Sequence, residues 1–320
     1  MYHSENIHLD LYQYYEKQLR FSGDVLHAFQ GVVNSYRNHE QLSGKLAHFW
    51  GLTFFLSEQR DARSVFIEEL QWCLLSRHPN LSPDSSIPER NETIFPSWSW
   101  AAMMAQDMAQ KRSSLAYPMY DEYMHAFNSV RRSGDEIAIF FTHRSGRQVS
   151  LEDYMIQTDS YLSFYPWFEI DCWSIWGCVK AGIPLDQYDS VYQWDREGAG
   201  YEELHLDYRV EWARAKSSIL VIFLRAWEFT GQSATEDSGK HVHESDNDST
   251  SDDDLLDFSL AYCILAKQVD PGIYSRIGLW GVRMARSGED WDTSKYLRKL
   301  LEVQVISSDE QWKKRRIRLI

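Results

Sequence analysis

At 320 residues, 43 % of them hydrophobic and 25 % charged, the chain has the balance of a globular protein with room for one large core or two ordinary ones. Its formal net charge of −14 opposes general binding to a phosphate backbone, so nucleic acid is not an expected partner. No apolar run approaches the ~18 residues of a spanning helix, and the stretch from Met1 to Asp10 lacks the basic start and apolar run of a secretory signal, so no membrane partner is expected.

In chain order, Leu11, Tyr12, Tyr15 and Leu19 fall on one helical face. Ser22-Gly23-Asp24 interrupts, with Ser22 or Asp24 placed to accept the orphan N–H groups of a second helix. Its buried stripe would be Val25, Leu26, Phe29, Val32, Val33 and Tyr36. A third helix is predicted from near Ser64 to Leu75, burying Phe66, Leu70, Cys73 and Leu74 and turning Glu68 and Glu69 to solvent. The stretch 78–91, rich in Pro, Ser and Asn, reads as a loop. The first eighty residues are thus expected to be helical.

Beyond Phe95 the period shortens. Ile137 to Phe141 is an apolar run of strand length, and Leu204, Leu206, Tyr208, Val210 and Trp212 alternate with polar residues as a half-buried strand does. Ile219 to Leu224 is apolar on both faces, the pattern of a fully buried strand. Leu260–Ala266 and Ile273–Met284 flank Asp270-Pro271-Gly272 and predict a hairpin. Between them, 230–254 holds almost no large apolar residue and is expected to be a disordered acidic loop. From Glu236 to Asp257 there are nine carboxylates against one lysine, Lys240, which leaves the rest of the chain only mildly acidic. Trp291, Tyr296, Leu297, Leu300 and Leu301 suggest a late helix, and the basic run at 313–318 reads as a solvated terminal segment or, alternatively, a nuclear-import run.

Chemistry-bearing constellations are sparse. Cys172 and Cys178 are separated by five residues, a spacing that matches no common zinc or redox site, while Cys73 and Cys263 lie in apolar runs. This usage fits a reducing compartment and a cytoplasmic location, with nuclear import the alternative carried by 313–318. His241 and His243 with Glu244 and Asp246 could hold a divalent ion only weakly, and His39 and His48 have no companion at ligand spacing. No phosphate loop, nucleophile elbow or nucleophile–base pairing is present, so no cofactor, no metal and no catalytic residue is expected.

The most distinctive segment runs from Arg90 to Ala101 and contains Phe95-Pro96-Ser97-Trp98-Ser99-Trp100-Ala101. As a strand begun by Pro96 it would place both indoles on one face and both hydroxyls on the other. The two rings would then seal helices onto strands or, alternatively, offer an aromatic platform to a partner or sugar. This segment resembles the R…PSWSWAGW signature of the heterokaryon-incompatibility (HET) family of fungi. Asp24, Leu26, Ala28, Phe29 and Gly31 resemble its D-x-L-x-A-F-x-G helix, and Phe49-Trp50-Gly51-Leu52 with Leu70 and Trp72 resembles its F-x-W-G-L-P…L-x-W segment. Tyr274, Arg276, Ile277, Gly278 and Leu279 resemble its Y-x-R-I-G-L strand. Thr53, Ala102 and Met103 depart from the pattern, and the family's N-terminal core motifs have no counterpart in this sequence.

The resemblance implies the C-terminal portion of such a protein, in a family tied to non-self recognition and programmed cell death, with the activity residing in the core. The expected function is a non-enzymatic regulatory or scaffold fragment whose partner is another HET-family protein or an allorecognition partner. The alternative is an aromatic-rich β-sandwich that binds carbohydrate or another ligand. The expected fold is α+β, with a helical region over 1–93 packed on a largely antiparallel β-rich body over 94–320.

Overall fold

The computed structural model describes residues 21–37, 46–55, 62–76, 95–109, 114–118, 130–133, 137–157, 160–179, 189–193, 200–206, 218–229, 258–285, 297–298, 300–301 and 306–320. The predicted helix over 11–19, the loop over 78–91, the acidic loop over 230–254 and residues Arg90, Trp291 and Tyr296 lie outside them.

The described residues form an α+β fold. Helix α1 (Val25–Arg37) follows a 3-10 turn at Ser22–Asp24 and buries Val25, Leu26, Phe29 and Val33. Val32 and Tyr36 pack against the same core from its edge. The apolar spacing therefore produced the expected helix and the expected face. A hairpin, β1 (Leu46–Phe49) and β2 (Leu52–Phe55), comes next, paired from Leu46↔Phe55 to Phe49↔Leu52. Helix α2 (Ala62–Glu69) follows, then β3 (Trp72–Ser76), which pairs with β4 (Ser114–Pro118).

Two expectations are corrected here. Residues 46–55 are a hairpin, not helix, and the third helix ends at Glu69 instead of continuing to Leu75. Trp72-Cys73-Leu74-Leu75 is apolar at every position, a run that carries no period and suits a strand as well as a helix. Glu68 and Glu69 are not solvated either, being 1 % and 8 % exposed. Glu68 lies 3.8 Å from the guanidinium of Arg225, and Glu69 accepts a hydrogen bond from Thr53.

Helix α3 (Trp100–Ala109) and the short helix α4 (Leu151–Ile156) complete the labelled helices, α4 being capped by Ser150, which accepts from the Asp153 N–H. The remaining strands are β5 (Val130–Ser133), β6 (Ala138–His143), β7 (Gln148–Ser150), β8 (Phe164–Val179), β9 (Asp189–Gln193) and β10 (Gly200–Leu206). They continue with β11 (Ile219–Phe229), β12 (Phe258–Asp270), β13 (Ile273–Ala285), β14 (Ile306–Ser307) and β15 (Lys313–Leu319).

Eleven of these strands make one large sheet among the described residues, antiparallel at every pairing except β13 with β15. β8 pairs β11, β11 pairs β12, β12 pairs β13, β13 pairs β15, and β15 returns to β8, so five strands close a circuit. Closure removes open edges from those strands. The predicted hairpin is β12–β13, turned at Gly272 with φ +76°, and the predicted buried strand is β11, whose Ile219 to Leu224 are at most 1 % exposed. The Ile137 run leads into β6, and of the Leu204 run Leu204 and Leu206 lie in β10 while Tyr208, Val210 and Trp212 lie outside the described residues.

Both faces of the central strands are buried. One face (Leu220, Ile222, Tyr262, Ile264, Leu279, Leu319) joins the core that contains α1, α2 and the Trp98 segment. The other (Val221, Phe223, Cys263, Leu265, Trp280) is covered by Leu297, Leu300 and Ile306. The expectation of a free basic C-terminal segment is overturned. Residues 313–318 lie in β15, with Arg316 and Arg318 paired to Asp171 and Glu169 across β8. Ile317 and Leu319 alternate with those arginines and point into the core, so burial of two large apolar side chains holds the strand.

Candidate functional site

Eight residues of the family-like motifs converge on one buried hub. Its nucleus is the two-residue turn of the β1–β2 hairpin, where Trp50 and Gly51 both have positive φ, 48° and 108°. Two positive φ values in succession match the turn whose twist suits a hairpin. Ser99 Oγ donates to the Trp50 carbonyl at 2.5 Å and Trp100 Nε1 donates to the Gly51 carbonyl at 2.8 Å. The two motifs, far apart in sequence, thus satisfy each other's polar groups. Gly51 is required here, since a Cβ on it would lie 2.8 Å from Ser99 Oγ.

Ser97 to Trp100 is a turn that opens a helix, not the expected strand. The Ser99 N–H donates to the Pro96 carbonyl, and Ser99 Oγ accepts from the Ala101 N–H as the N-cap of α3. Trp98 and Trp100 are buried, at 0 % and 2 % exposure, and Ser97 and Ser99 are buried beside them. The indoles do not stack on each other. Trp98 stacks on Phe49, with centroids 5.6 Å apart, and Trp100 meets the edge of Phe29 at 5.0 Å. Trp98 Nε1 donates to the Leu319 carbonyl, and Ser97 accepts from the Arg276 N–H and donates to the Ile320 carbonyl. The fully buried Arg276 side chain reaches the Leu70 carbonyl at 2.7 Å.

Phe29, Trp50, Gly51, Ser97, Trp98, Ser99, Trp100 and Arg276 therefore belong to one cluster. Pro96 supplies the turn that leads into it, Trp72 opens β3, and Gly278 lies in β13 opposite Leu206 and Leu265. Asp24 and Gly31 stand exposed on the first turn and on α1, and nothing in the packing requires Gly31 to be glycine.

Next to the hub is a pocket of about 800 Å³. His27, Gln30, Asn34 and Arg37 line it from α1 at spacings of three and four residues, so they share a helical stripe. Leu46 and His48 line it from β1, and Tyr154 to Gln157 with Ser160 to Leu162 supply the remaining described wall. His48 Nε2 lies 2.5 Å from Gln30 Oε1, while Gln30 Nε2 donates to Asn34 Oδ1 at 2.8 Å. The second bond orients the Gln30 amide, so the first places the imidazole proton on Nε2. Burial, with the Arg37 charge adding, pushes the His48 pKa down to about 3, which makes the ring neutral. The Tyr154 hydroxyl donates to the His48 carbonyl at 2.8 Å, and burial raises its pKa well above the ordinary phenol value, Arg37 opposing.

Among the described residues that line the pocket, His48 turns its Nε2 proton to Gln30, and burial holds the Tyr154 phenol protonated. No group of three or more His, Cys, Asp or Glu side chains that could hold a metal occurs among the described residues, and His39, His241 and His243 lie outside them. Cys172 and Cys263 are buried free thiols whose pKa values burial raises, so they behave as small apolar groups. Reading α1 for its apolar stripe alone missed Gln30, Asn34 and Arg37; the same helical period applied to its polar residues marks them.

A third feature is the outer face of β8. Arg144 lies over Tyr165, Arg318 over Trp167 and Lys314 over Trp173, at 5.5 to 5.6 Å from the ring centroids. The cations thus occupy ring faces that a sugar would otherwise stack on. No family model, curated protein or solved structure matches the chain.

Proposed function

We propose that the chain is a non-enzymatic regulatory or scaffold module, resembling the C-terminal part of HET-family proteins and acting by holding a partner of that kind. The observation that carries this reading is the hub. Side chains from the segments that resemble the family spend their polar groups on one another and on the backbone, and their rings lie in the core. Residues so engaged hold an architecture and present no reactive atom to a substrate. In this reading the helices, the β1–β2 hairpin and the hub form a layer on the sheet, and the sheet carries the partner surface.

The carbohydrate-binding alternative asks for several open indoles on one strand face. The large apolar residues most exposed among those described are Phe21, Ile156, Leu162, Val269 and Leu301, with no Trp among them. We carry forward a cytoplasmic location, since import through 313–318 would need that run free and Arg316 and Arg318 are engaged in the sheet. Among the described residues no helix is long and apolar enough to cross a membrane.

The test is inducible expression in a fungal host of residues 1–320 beside the same residues fused behind a HET core from an intact family member. The expected result is growth without arrest from residues 1–320 and arrest from the fusion. Arrest from residues 1–320 alone contradicts the non-enzymatic reading.

A further inference from the structure

We propose that the pocket between α1 and α4 is a binding site for a small organic carboxylate with an apolar body, its anionic head on Arg37 and its body against Ile156 and Leu162.

The chain carries −14, yet no Asp or Glu is among the described residues that line this pocket. Its cation, like Arg144 and Arg276, is held by a backbone carbonyl, whereas five other arginines are held by carboxylates. Arg63, Arg225, Arg315, Arg316 and Arg318 each lie within 4 Å of a carboxylate. Arg37 instead donates its Nε to the Leu46 carbonyl at 2.9 Å, which anchors the guanidinium and leaves both Nη groups for a ligand. A planar guanidinium with two donors side by side matches a carboxylate. One such group among neutral amides suits a monoanion better than a phosphate, which would call for further cations.

The neighbouring polar wall is already ordered. The chain from His48 through Gln30 to Asn34 uses the Gln30 amide at both ends and turns the Asn34 amide nitrogen away from its own bonded oxygen, as a free donor. The rim is the opposite in character. Ile156 is 78 % exposed and Leu162 46 %, so two of the largest apolar exposures among the described residues border this one pocket. An apolar rim above an anchored cation and neutral donors is complementary to an amphiphilic acid, and the volume is within the ~300–1,000 Å³ typical of small-ligand sites. This inference does not depend on the scaffold reading, and either can fail without the other.

The test is calorimetric titration of the full chain with 4-phenylbutyrate and with its neutral amide, 4-phenylbutyramide. The acid is expected to bind at least about tenfold more tightly than the amide, a difference of ~1.4 kcal/mol. Arg37→Gln is expected to abolish that preference, Arg37→Lys to retain part of it, and Ile156→Ser to weaken acid and amide alike. The comparison of acid with amide on the unaltered chain needs no variant to fold. Equal binding of the two, no binding of either up to ~10 mM, or an unchanged preference in Arg37→Gln overturns the proposal.

Discussion

A Cβ at Gly51 would meet Ser99 Oγ at 2.8 Å with φ at +108°, whereas a Cβ at Gly31 would meet nothing within 4 Å. Both glycines belong to the family-like motifs, so substitution separates architecture from coincidence. Gly51→Ala is expected to cost about 2 kcal/mol or more, through strain and the crowded Ser99 hydroxyl. Gly31→Ala, in an exposed helix interior, is expected to stabilise by about 0.5–1 kcal/mol. Urea midpoints at unchanged slope measure both. His48 adds a pH dependence whose sign follows from its depressed pKa. Below its unfolded value of 6.5 the unfolded chain takes up a proton that the folded one refuses until about pH 3. The protein should therefore lose stability as pH falls through that window, by up to ~1.4 kcal/mol per pH unit from this one group. His48→Gln should flatten that limb, and an unaltered slope between pH 6 and 4 would count against a buried neutral imidazole.

Among the elements, α2 and β11 are joined by a buried ion pair at the register shift between Phe223 and Arg225. Arg225 also donates to Ser64 at 2.6 Å. Removing one partner strands the other charge, so Arg225→Met is expected to cost about 3–5 kcal/mol, while pairing it with Glu68→Leu should restore most of that loss. Equal losses in the single and double variants would show that the pair is not coupled. The elements legible in the sequence were those with an unambiguous period or turn. The stripe from Val25 to Tyr36 has a helical period, Ile219–Leu224 is a short run rich in β-branched residues that favours a buried strand, and Asp270-Pro271-Gly272 marks its own hairpin. What escaped was set by partners distant along the chain. Trp72–Ser76 becomes a strand because Ser114–Pro118 lies beside it, and the basic run becomes β15 because β8 lies beside it and the core takes up Ile317 and Leu319. The Trp98 segment alternates like a strand, yet Ser99 before Trp-Ala-Ala is an N-cap followed by helix formers, a signal that was present and was outweighed by the alternation. The pocket draws on α1, β1, Tyr154 to Gln157 and Ser160 to Leu162, so only the tertiary fold brings its wall together.

At the scale of the whole molecule, the circuit of five strands and the hub share β15. That strand separates β13 from β8, and the carbonyls of Leu319 and Ile320 accept from Trp98 and Ser97. Deleting residues 313–320 should open the circuit and strip the hub of those acceptors, so the variant is expected to lose cooperative urea unfolding. A sharp transition at the original midpoint would contradict the shared role. The central claim is that the residues resembling a family signature form a closed structural hub. Hydrogen exchange at the indole nitrogens of Trp98 and Trp100, assigned by Trp98→Phe and Trp100→Phe, tests it most directly. Both protons are buried and bonded to backbone carbonyls, so both should exchange only through global unfolding, slowed by at least about a thousandfold relative to free indole. Exchange of either proton at nearly the free-indole rate would mean that the segment is open to solvent and that the hub does not exist as described.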